Sequence, residues 1–351
     1  LLEKINTKTS VVGVIGLGYV GLPLAVEKAN AGFRTIGFDI QEEKVRMVNE
    51  GINYIGDVVD SELEDLVKIG RLLATSDYSF IKEVDFIAIC VPTPLDEYQQ
   101  PDISYVKSTA IEISKYLKRG TIVVLESTTY PGTTEELLLP ILEEGSGLKC
   151  GQDFYLAFSP ERVDPGNLIY KTKNTPKVVG GVGKDSTEIA AAMYRTVLNS
   201  DVFEVSSPKV AEMEKILENT YRNINIALAN ELAILCENIG ISAWEVIQLS
   251  NKHPRVNIHQ PGPGVGGHCI AIDPWFIVEK DPDTARMIKL GRAINDSMPM
   301  HVLQKAKNII SGIPDISGKT KITILGISYK PNIDDTRESP IIKLINLFEE
   351  E

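Results

Sequence analysis

The chain is poor in cysteine and histidine, with four of each among 351 residues. The cysteines lack both the paired spacing of a zinc site and the pattern of a disulfide framework, so we expect neither. Cys90 and Cys236 lie in apolar segments and are predicted to be core residues, Cys150 follows a glycine-containing loop and carries no prediction, and Cys269 has polar, glycine-rich neighbours. Only Cys269 has surroundings that favour chemistry.

Long apolar runs and an excess of basic residues are also lacking. No apolar run approaches the roughly 18 to 20 residues that cross a bilayer, and residues 1–6 have neither the basic segment nor the apolar core of a signal peptide. The net charge is −12, whereas nucleic-acid phosphates favour basic surfaces. We therefore expect a cytoplasmic protein that binds neither membranes nor nucleic acid.

A glycine motif follows the first predicted strand, residues 11–15. Gly16, Gly18 and Gly21 form Gly-x-Gly-x-x-Gly between that strand and a helical pattern, and Asp39 ends the next predicted strand. This is the context of the dinucleotide-binding fingerprint, in which glycines permit a tight turn, close approach of a pyrophosphate and packing of helix on strand. A carboxylate at position 39 favours ribose hydroxyls over a 2′-phosphate, which predicts NAD rather than NADP.

Further predicted strands at 86–91 and 121–125 alternate with helical patterns, which predicts an α/β fold with a Rossmann-type, doubly wound parallel sheet. Ligands of such sheets bind beyond the carboxyl ends of the strands. Those ends carry Val-Pro-Thr-Pro, Glu-Ser-Thr and Ser-Pro-Glu-Arg. Thr93 and Thr128 are candidate contacts to cofactor or water, and Glu161 is a candidate base; ordinary turns are the alternative.

The longest helical pattern runs from Ser207, a suitable cap, to Gly240, a suitable stop. At about 1.5 Å per residue it is a rod of roughly 45 Å. Its predicted apolar packing face comprises Met213, Ile216, Leu217, Ile224, Leu228, Leu232 and Leu235. A polar stripe comprises Lys215, Asn219, Arg222 and Asn223. Asparagine inside a helix costs helix propensity, which favours a function for the stripe over a merely solvated face.

Residues 262–274 read Gly-Pro-Gly-Val-Gly-Gly-His-Cys-Ile-Ala-Ile-Asp-Pro. Four glycines within six positions predict a loop whose backbone closely approaches a ligand. Cys269 is the candidate nucleophile, the alternative being a small buried hydrophobe. His253 and Arg255 are candidate hydrogen-bond donors, the alternative being solvated surface residues.

Residues 322–330 predict one more strand, followed by a polar segment and a helix. One strand and one helix cannot bury both faces of a sheet, so we expect this domain to continue for roughly 80 to 100 further residues. Three domains are predicted: a Rossmann-type domain at 1–206, an all-helical central domain at 207–310, and the start of a smaller, incomplete α/β domain at 311–351.

Seven motifs occur in one order along nearly the whole chain. They are Gly-x-Gly-Tyr-Val-Gly-Leu-Pro, Val-Pro-Thr-Pro, Glu-Ser-Thr, Ser-Pro-Glu-Arg, Lys215-x3-Asn219, Gly-Gly-His-Cys269-x3-Asp273 and Tyr-Lys-Pro…Asp-Thr-Arg-Glu-Ser-Pro. Together they resemble the UDP-glucose/UDP-N-acetylmannosamine dehydrogenase family of UDP-sugar 6-dehydrogenases. His268 stands where glucose-specific members usually have serine, which resembles the N-acetylhexosamine branch. A second acid of the glucose-type enzymes is absent at Pro165, so only Glu161 is carried over.

The resemblance implies a four-electron oxidation of the C6 hydroxymethyl group of a UDP-N-acetylhexosamine, with UDP-N-acetyl-D-mannosamine as the expected substrate and two NAD+ as oxidant. Cys269 would trap the intermediate aldehyde as a thiohemiacetal, and its oxidation would give a thioester that water hydrolyses. Lys215 and Asn219 would move protons and stabilise oxyanions. Glu161, helped by Thr128, would activate water, and Asp273 would orient Lys215 or water.

The resemblance also implies binding residues and an assembly. The cofactor-binding residues would be Gly16, Gly18, Tyr19, Val20, Gly21, Asp39, Lys44, Thr93 and Thr128. The substrate-binding residues would be Glu161, Arg162, Val163, Lys215, Asn219, Arg222, His253, Arg255, Gly266, Tyr329, Lys330 and Arg337. The last domain would bind UDP, and the central domain would form a homodimer in which Arg255 reaches the partner. The uronic acid would serve the synthesis of surface polysaccharides or glycans.

Three alternatives remain at the level of sequence. UDP-N-acetylglucosamine or UDP-glucose could replace the mannosamine substrate, because the C2 epimer depends on the shape of the binding site. The two-electron β-hydroxyacid dehydrogenases share the nicotinamide domain and the long helix but do not need Cys269. A nucleotide-sugar binding fragment without turnover is the third alternative, because the last domain is short.

Overall fold

The computed structural model of the chain describes residues 1–96, 100–162, 169, 171–267, 269–313, 321–330 and 336–351. Val163 and His268, which the sequence singled out for the substrate and for sugar choice, lie outside the described residues. The chain divides into two compact units, Leu1–Lys215 and Ile216–Glu351. In the described ranges, every helix is too short or too polar to cross a membrane.

One eight-stranded sheet organises the first unit. Its strands are β1 Val11–Ile15, β2 Arg34–Phe38, β3 Leu72–Thr75, β4 Phe86–Ile89, β5 Ile122–Leu125, β6 Tyr155–Phe158, β7 Lys177–Gly181 and β8 Val202–Glu204. Their order is β3-β2-β1-β4-β5-β6-β7-β8. The strand order reverses between β1 and β4, and that reversal is the position at which doubly wound sheets bind ligands. The predicted Rossmann-type α/β fold is confirmed.

The sheet is parallel, as predicted, except at one side. Strands β1 to β6 pair in parallel, whereas β7 runs antiparallel to β6 and β8 runs parallel to β7. An antiparallel neighbour needs no crossover helix, and the sequence carries no strong signal for that direction. Consequently Lys177, the first residue of β7, lies at the carboxyl ends of β5 and β6.

Helices and apolar side chains cover both faces of the sheet. The helices of the first unit are α1 Leu2–Asn6, α2 Gly21–Asn30, α3 Glu42–Asn49, α4 Asp60–Lys68, α5 Ser104–Ser114, α6 Leu139–Ser146 and α7 Lys184–Val197, with a 3-10 helix at Tyr78–Glu83 and a π-helix at Thr134–Leu138. One core cluster includes Leu22 of α2 and Met193 of α7. The other includes Ile113 of α5 and Leu142 of α6. Every residue of β4 and β5 is buried, which explains their continuous apolar sequence.

The long helix α8, Pro208–Ile239, begins in the first unit and continues into the second. Its predicted ends are confirmed. The Ser207 hydroxyl accepts a hydrogen bond from the backbone N–H of Val210 at 3.4 Å. Gly240 has a φ of +75°, the left-handed conformation that commonly ends a helix.

The predicted packing face of α8 is largely wrong. Met213, Leu217, Leu228 and Leu235 are exposed. Ile216 of the predicted face is buried, and the rest of the buried stripe consists of small and polar residues, namely Ala211, Glu212, Lys215, Asn219, Thr220, Asn223, Ala227, Ala229, Asn230 and Cys236. Apolar periodicity alone therefore identified the outer side of this helix, because the inner side carries mainly small residues and buried polar groups.

The regular secondary structure described in the second unit is helical. The helices are α9 Ala243–Ser250, α10 Asp273–Lys280, α11 Arg286–Ser311 and α12 Pro340–Glu349, so the predicted all-helical central segment is confirmed. The strand predicted at 322–330 is wrong: within the described ranges, residues 321–330 form no strand pairing, and Leu325 is almost fully exposed. A strand requires a hydrogen-bonded neighbour, and no strand is described in this unit.

Candidate active site

The glycine motif forms the turn between β1 and α2. Gly16 has a φ of +91°, and a Cβ there would lie 2.7 Å from the carbonyl oxygen of Cys90. A Cβ at Gly21 would collide with the carbonyl oxygen of Gly16. A Cβ at Gly18, by contrast, would meet no atom within 4 Å. The first and third glycines are therefore required by the chain's own packing, and Gly18 borders open space.

Asp39 follows β2 and is buried beside this turn. Its two oxygens accept hydrogen bonds from the backbone N–H groups of Leu17 and Gln41, both at 2.9 Å. Lys44 Nζ lies 3.8 Å from Asp39 Oδ2. A carboxylate has about four acceptor positions, so these bonds leave capacity for ribose hydroxyls. The same carboxylate also stabilises the turn, a role that the sequence did not predict.

The turn fits a dinucleotide. The amino terminus of α2 attracts phosphate charge, Gly18 offers room for close approach, and Asp39 supplies the acceptor for a ribose. Tyr19 is exposed and Val20 is half-buried in the same turn. Thr93 is half-buried in the segment that follows β4, on the other side of the reversal in strand order.

The ends of β4, β5 and β6 carry adjacent polar segments, as predicted. Glu126 and Ser127 follow β5, and the Ser127 hydroxyl donates to the carbonyl oxygen of Val91 at 2.7 Å. Thr128 is half-buried in the same segment. The backbone N–H of Ser159, after β6, bonds to the last residue of β5, Leu125, at 3.0 Å. Hydrogen bonds therefore connect the three segments side by side.

A buried lysine joins two acids at this edge. Lys177 Nζ, from the start of β7, donates to Glu126 Oε2 at 2.6 Å and to Glu161 Oε2 at 3.1 Å. The side chains of Lys177 and Glu126 are almost fully buried, and Glu161 is mostly buried. Burial opposes the charge of Lys177, but the two carboxylates outweigh it and raise the pKa of Lys177. Lys177 was not predicted from the sequence. The signal that could have identified it is a charged residue at the first position of an otherwise apolar strand.

Two aromatic rings complete this cluster. The Tyr194 hydroxyl donates to Glu126 Oε1 at 2.6 Å. The ammonium groups of Lys28 and Lys177 lie over the Tyr194 ring, 4.7 and 5.1 Å from its centroid, and Lys28 also lies 4.4 Å from the centroid of Phe86. Burial lowers the pKa of Lys28 to about 8, although Glu126 acts in the opposite direction. The ring faces replace hydrogen-bond acceptors for Lys28.

Glu212, near the start of α8, supports the segment that contains Thr128. Its carboxylate accepts hydrogen bonds from the backbone N–H of Gly132 at 2.5 Å and from the N–H and hydroxyl of Thr134 at 2.9 and 2.7 Å. Burial raises the pKa of Glu212, and these donors act against that effect. Arg162 connects to the same helix, with its guanidinium 3.6 Å from Glu214 Oε1. Lys215 is buried one turn before Asn219.

In the second unit, Cys269 is half-buried and is not part of a disulfide. The chain turns directly after it, because the Cys269 carbonyl oxygen accepts from the N–H groups of Ile272 and Asp273 at 3.0 and 2.8 Å. Asp273 is buried at the start of α10, and Asn219 Nδ2 donates to Asp273 Oδ2 at 2.5 Å. The structure therefore connects two predicted catalytic residues directly and places the third, Cys269, one turn away along the chain.

The glycines before Cys269 are needed mainly for packing of the chain against itself. A Cβ at Gly267 would lie 2.8 Å from the Tyr329 ring, and one at Gly266 would lie 2.6 Å from the carbonyl oxygen of Glu338. A Cβ at Gly264 would lie 2.9 Å from Pro340. Packing of the chain against itself therefore accounts for three of the four glycines, and close approach of their backbone to a ligand stays a prediction.

A buried polar network supports the beginning of the loop. Asn230 Oδ1 accepts from the N–H of Gly262 at 2.8 Å, and its Nδ2 donates to Asn295 Oδ1 at 2.8 Å. Asn295 Nδ2 donates to Asn223 Oδ1 at 2.9 Å, and Arg292 donates to the same oxygen at 3.1 Å. All three asparagines are fully buried. Of this network, the sequence predicted only Asn223.

The remaining predicted substrate contacts are more exposed. Arg222, His253 and Arg255 are exposed, and the N–H of Arg255 donates to His253 Nδ1 at 3.3 Å. Burial, followed by the charge of Arg222, lowers the pKa of His259, a residue that the sequence did not single out.

Tyr329 and Lys330 are half-buried, and Arg337 is exposed. The backbone N–H of Gly267 donates to the carbonyl oxygen of Arg337 at 3.2 Å. Tyr329 and Arg337 therefore lie beside the cysteine loop and pack against it, and their contact with a substrate stays a prediction.

Comparisons with known proteins agree with this arrangement. Three domain models of the UDP-glucose/GDP-mannose dehydrogenase family match the chain: the NAD binding domain at residues 10–198, the central domain at 209–297 and the UDP binding domain at 323–351. A UDP-N-acetyl-D-mannosamine dehydrogenase of Methanocaldococcus jannaschii is 43% identical over 340 residues, which cover 95% of this chain and 75% of that protein.

A second relative and a solved structure are similarly close. A UDP-N-acetyl-D-mannosamine dehydrogenase of Campylobacter jejuni is 42% identical, with 95% of this chain and 82% of that protein covered. The solved structure of a UDP-D-ManNAc dehydrogenase from Pyrococcus horikoshii is 36% identical and superposes with a TM-score of 0.92 over 97% of this chain and 81% of that one. The chain belongs to the UDP-glucose/GDP-mannose dehydrogenase family of NAD-dependent oxidoreductases.

Proposed function

We propose that this protein oxidises the C6 hydroxymethyl group of UDP-N-acetyl-D-mannosamine to a carboxylate with two molecules of NAD+. The observation that carries the proposal is the Asn219–Asp273 hydrogen bond beside Cys269, in a chain that also contains the dinucleotide turn. An oxidation that stopped at a ketone would need no cysteine. The names of the relatives support the choice of the mannosamine derivative.

The chemistry explains why a cysteine is present. The overall change converts R–CH2OH, two NAD+ and one water into R–COO−, two NADH and three protons. NAD+, when bound, accepts the hydride in each oxidation. Between the two oxidations, the thiolate of Cys269 adds to the aldehyde and prevents its release, and the second oxidation leaves a thioester. Water then cleaves the C–S bond and regenerates the thiolate.

Four further residues and Thr128 carry out proton transfer, oxyanion stabilisation and activation of water. Lys215 moves protons and stabilises the oxyanions, and Asn219 donates to the same oxygen. Asp273 accepts from Asn219 and thereby sets the orientation of the amide. Glu161, assisted by Thr128, removes a proton from the hydrolytic water.

Two sets of residues bind the cofactor and the sugar nucleotide. Gly16, Gly18, Tyr19, Val20, Gly21, Asp39, Lys44, Thr93 and Thr128 bind the cofactor. Glu161, Arg162, Val163, Lys215, Asn219, Arg222, His253, Arg255, Gly266, Tyr329, Lys330 and Arg337 bind the sugar nucleotide. The basic residues supply the charge that a diphosphate requires in a chain whose net charge is −12.

The test is a comparison of three substrates. The purified protein is given NAD+ and limiting UDP-N-acetyl-D-mannosamine, UDP-N-acetylglucosamine or UDP-glucose, and both NADH and the acid are quantified. We expect two NADH per molecule of UDP-N-acetyl-D-mannosamine and far slower turnover of the other two. One NADH per sugar would instead support a β-hydroxyacid-type oxidation, and NAD binding without turnover would indicate a binding protein.

We also propose a homodimer in the cytoplasm, built on the central one of three domains, residues 207–310. Leu217, Tyr221, Leu228 and Leu235 of α8 and Trp244 of α9 are large apolar residues exposed in the single chain, and exposed apolar patches of this kind are typical of interfaces. Light scattering should give twice the chain mass, and Leu228→Asp should give the single mass with unchanged circular dichroism. The acid formed would serve the synthesis of surface polysaccharides or glycans.

A further inference from the structure

The relationship between Lys177 and Glu161 suggests a role that neither the motifs nor the family resemblance assigns. We infer that Lys177 is a positioning residue for thioester hydrolysis, which holds the Glu161 carboxylate in place by bridging it to Glu126. This inference rests on the proposed function, because it requires Glu161 to activate the hydrolytic water.

The sheet topology explains how Lys177 reaches both acids. Because β7 runs antiparallel to β6, its first residue lies where β5 and β6 end. Glu126 follows β5 directly, and Glu161 follows β6 by three residues. A lysine at the start of a parallel strand would instead lie at the opposite edge. The antiparallel direction of this one strand therefore brings the cation to the edge that carries the ligand-binding segments.

The cluster is built in two layers with different roles. Glu126 is fully buried and accepts from both Lys177 and Tyr194, so it has no freedom to move toward a ligand. Glu161 retains some exposure, and its Oε1 accepts from the backbone N–H of Arg162 at 2.8 Å. The inner acid therefore anchors Lys177, and Lys177 in turn orients the outer acid.

The charge of Lys177 also favours the ionised form of Glu161, which is the form that accepts a proton. In the hydrolytic step, the water oxygen forms a bond to the thioester carbonyl carbon, Glu161 takes one proton from the water, and the C–S bond breaks with the electron pair returning to Cys269. No oxidant is consumed. A neutral or misplaced Glu161 slows this step and leaves both hydride transfers intact.

Lys28 provides a matched control. It is fully buried in the same cluster, its ammonium group also lies over the Tyr194 ring, and it acts on Glu161 through its charge and not through a described hydrogen bond. Lys28→Met and Lys177→Met therefore make the same chemical change in the same cluster. Of the hydrogen bonds described for this cluster, Lys177→Met removes the one that Lys177 donates to Glu161.

The experiment separates oxidation from hydrolysis by rapid-mixing kinetics with UDP-N-acetyl-D-mannosamine and saturating NAD+. Lys177→Met is expected to release a burst of two NADH per active site at the wild-type rate, then to turn over about 100-fold more slowly. Intact mass should show the sugar nucleotide bound covalently through Cys269. Lys28→Met should turn over at the wild-type rate, and Lys177→Arg, which retains the cation, within about tenfold of it.

A pH profile gives a second readout. Among the described residues, the charged and titratable groups that act on Glu161 include Lys177, Arg162, Lys28 and Cys90, and Glu126 and Tyr194 adjoin it through Lys177. Removing the Lys177 cation, which donates to the Glu161 carboxylate, should move the acidic limb of the hydrolysis rate to higher pH in Lys177→Met. The variant should recover part of its hydrolysis rate at higher pH, and a purely structural defect would give no such recovery.

The outcomes are distinguishable. If the wild-type protein forms no acid or only one NADH per sugar, the proposed function fails, and this inference fails with it. If the wild type forms two NADH but Lys177→Met shows no slow phase, or loses the burst and the slow phase equally, only the role of Lys177 is overturned. Hydrolysis in a folded Lys177→Arg as slow as in Lys177→Met would also overturn it.

Discussion

Asn219 and Asp273 are joined by a buried hydrogen bond of 2.5 Å, from the amide of one to the carboxylate of the other. The bond connects the long helix α8 to the first residue of α10, four positions beyond Cys269. It fixes the direction of the Asn219 amide and satisfies a carboxylate that is almost fully buried. The bond thus joins two short motifs, Lys215-x3-Asn219 and Cys269-x3-Asp273, that are separate in the sequence.

This bond predicts a specific pattern in a residue exchange. Asn219→Asp alone places two carboxylates together in a buried position and should reduce the free energy of unfolding by about 1–3 kcal/mol. The double variant Asn219→Asp with Asp273→Asn restores one donor and one acceptor and should recover most of that loss. Urea unfolding measures both effects, and an Asn219→Asp variant as stable as wild type would contradict the pairing.

Asp273→Asn alone separates stability from activity. The substituted side chain keeps an acceptor oxygen, so unfolding should change by less than about 1 kcal/mol. Turnover should fall about 100-fold, because the negative charge that orients the catalytic groups is lost. Steady-state kinetics with UDP-N-acetyl-D-mannosamine provide the measurement, and turnover within threefold of wild type would exclude a catalytic role.

Gly267→Ala tests the packing of the cysteine loop. Gly267 has a φ of +84°, and a Cβ would lie 2.8 Å from the Tyr329 ring. The variant should lose about 1–3 kcal/mol of stability and most of its activity. Gly262→Ala is the matched control, because a Cβ there would meet nothing within 4 Å. Adding Tyr329→Ala should recover only part of the loss, since the backbone strain remains.

Cys269→Ser should stop the reaction after the first oxidation. The serine hydroxyl is a far weaker nucleophile than a thiolate, so neither a hemiacetal nor an ester through the substituted side chain should accumulate. We expect at most one NADH per active site in the burst, and no covalent adduct by intact mass. Cys150→Ser, which changes another half-buried thiol, should behave like wild type. An unchanged yield of acid from Cys269→Ser would remove the cysteine from the mechanism.

Lys28 predicts a pH dependence of stability. Burial lowers its folded-state pKa from 10.5 to about 8. Below pH 8 the ammonium is charged in both states, so its burial cost is fully present. Between pH 8 and 10.5 only the unfolded chain keeps the proton, and the stability of the wild type should therefore rise with pH relative to Lys28→Met, by at most about 1.4 kcal/mol per pH unit.

Urea unfolding at pH 7, 8, 9 and 10 measures this difference. The exposed Lys68→Met is the control, for which the wild-type and variant curves should run parallel over the same range. Parallel curves for Lys28→Met would show that the buried ammonium keeps its proton.

Much of the fold was predictable because its signals are local. The turn at Gly16, the two ends of α8 and the core positions of Cys90 and Cys236 each depend on a few neighbouring residues. The predicted face of α8 and the strand at 322–330 were wrong for a common reason. Apolar periodicity shows which residues could be buried, but the partners that bury them lie elsewhere in the chain.

Local sequence indicated a candidate nucleophile at Cys269 and a dinucleotide site at the glycine turn, whereas the reaction was implied by the resemblance of seven motifs to a known family. The contacts of Lys177 could not be predicted from local sequence. Its partners Glu161 and Glu126 lie 16 and 51 positions away, and they meet it only because β7 runs against β6. Local sequence thus determines which reactive groups are present, whereas strand direction and side-chain burial determine which of them act on one another, because ion pairs form between groups that the fold brings within about 3 Å.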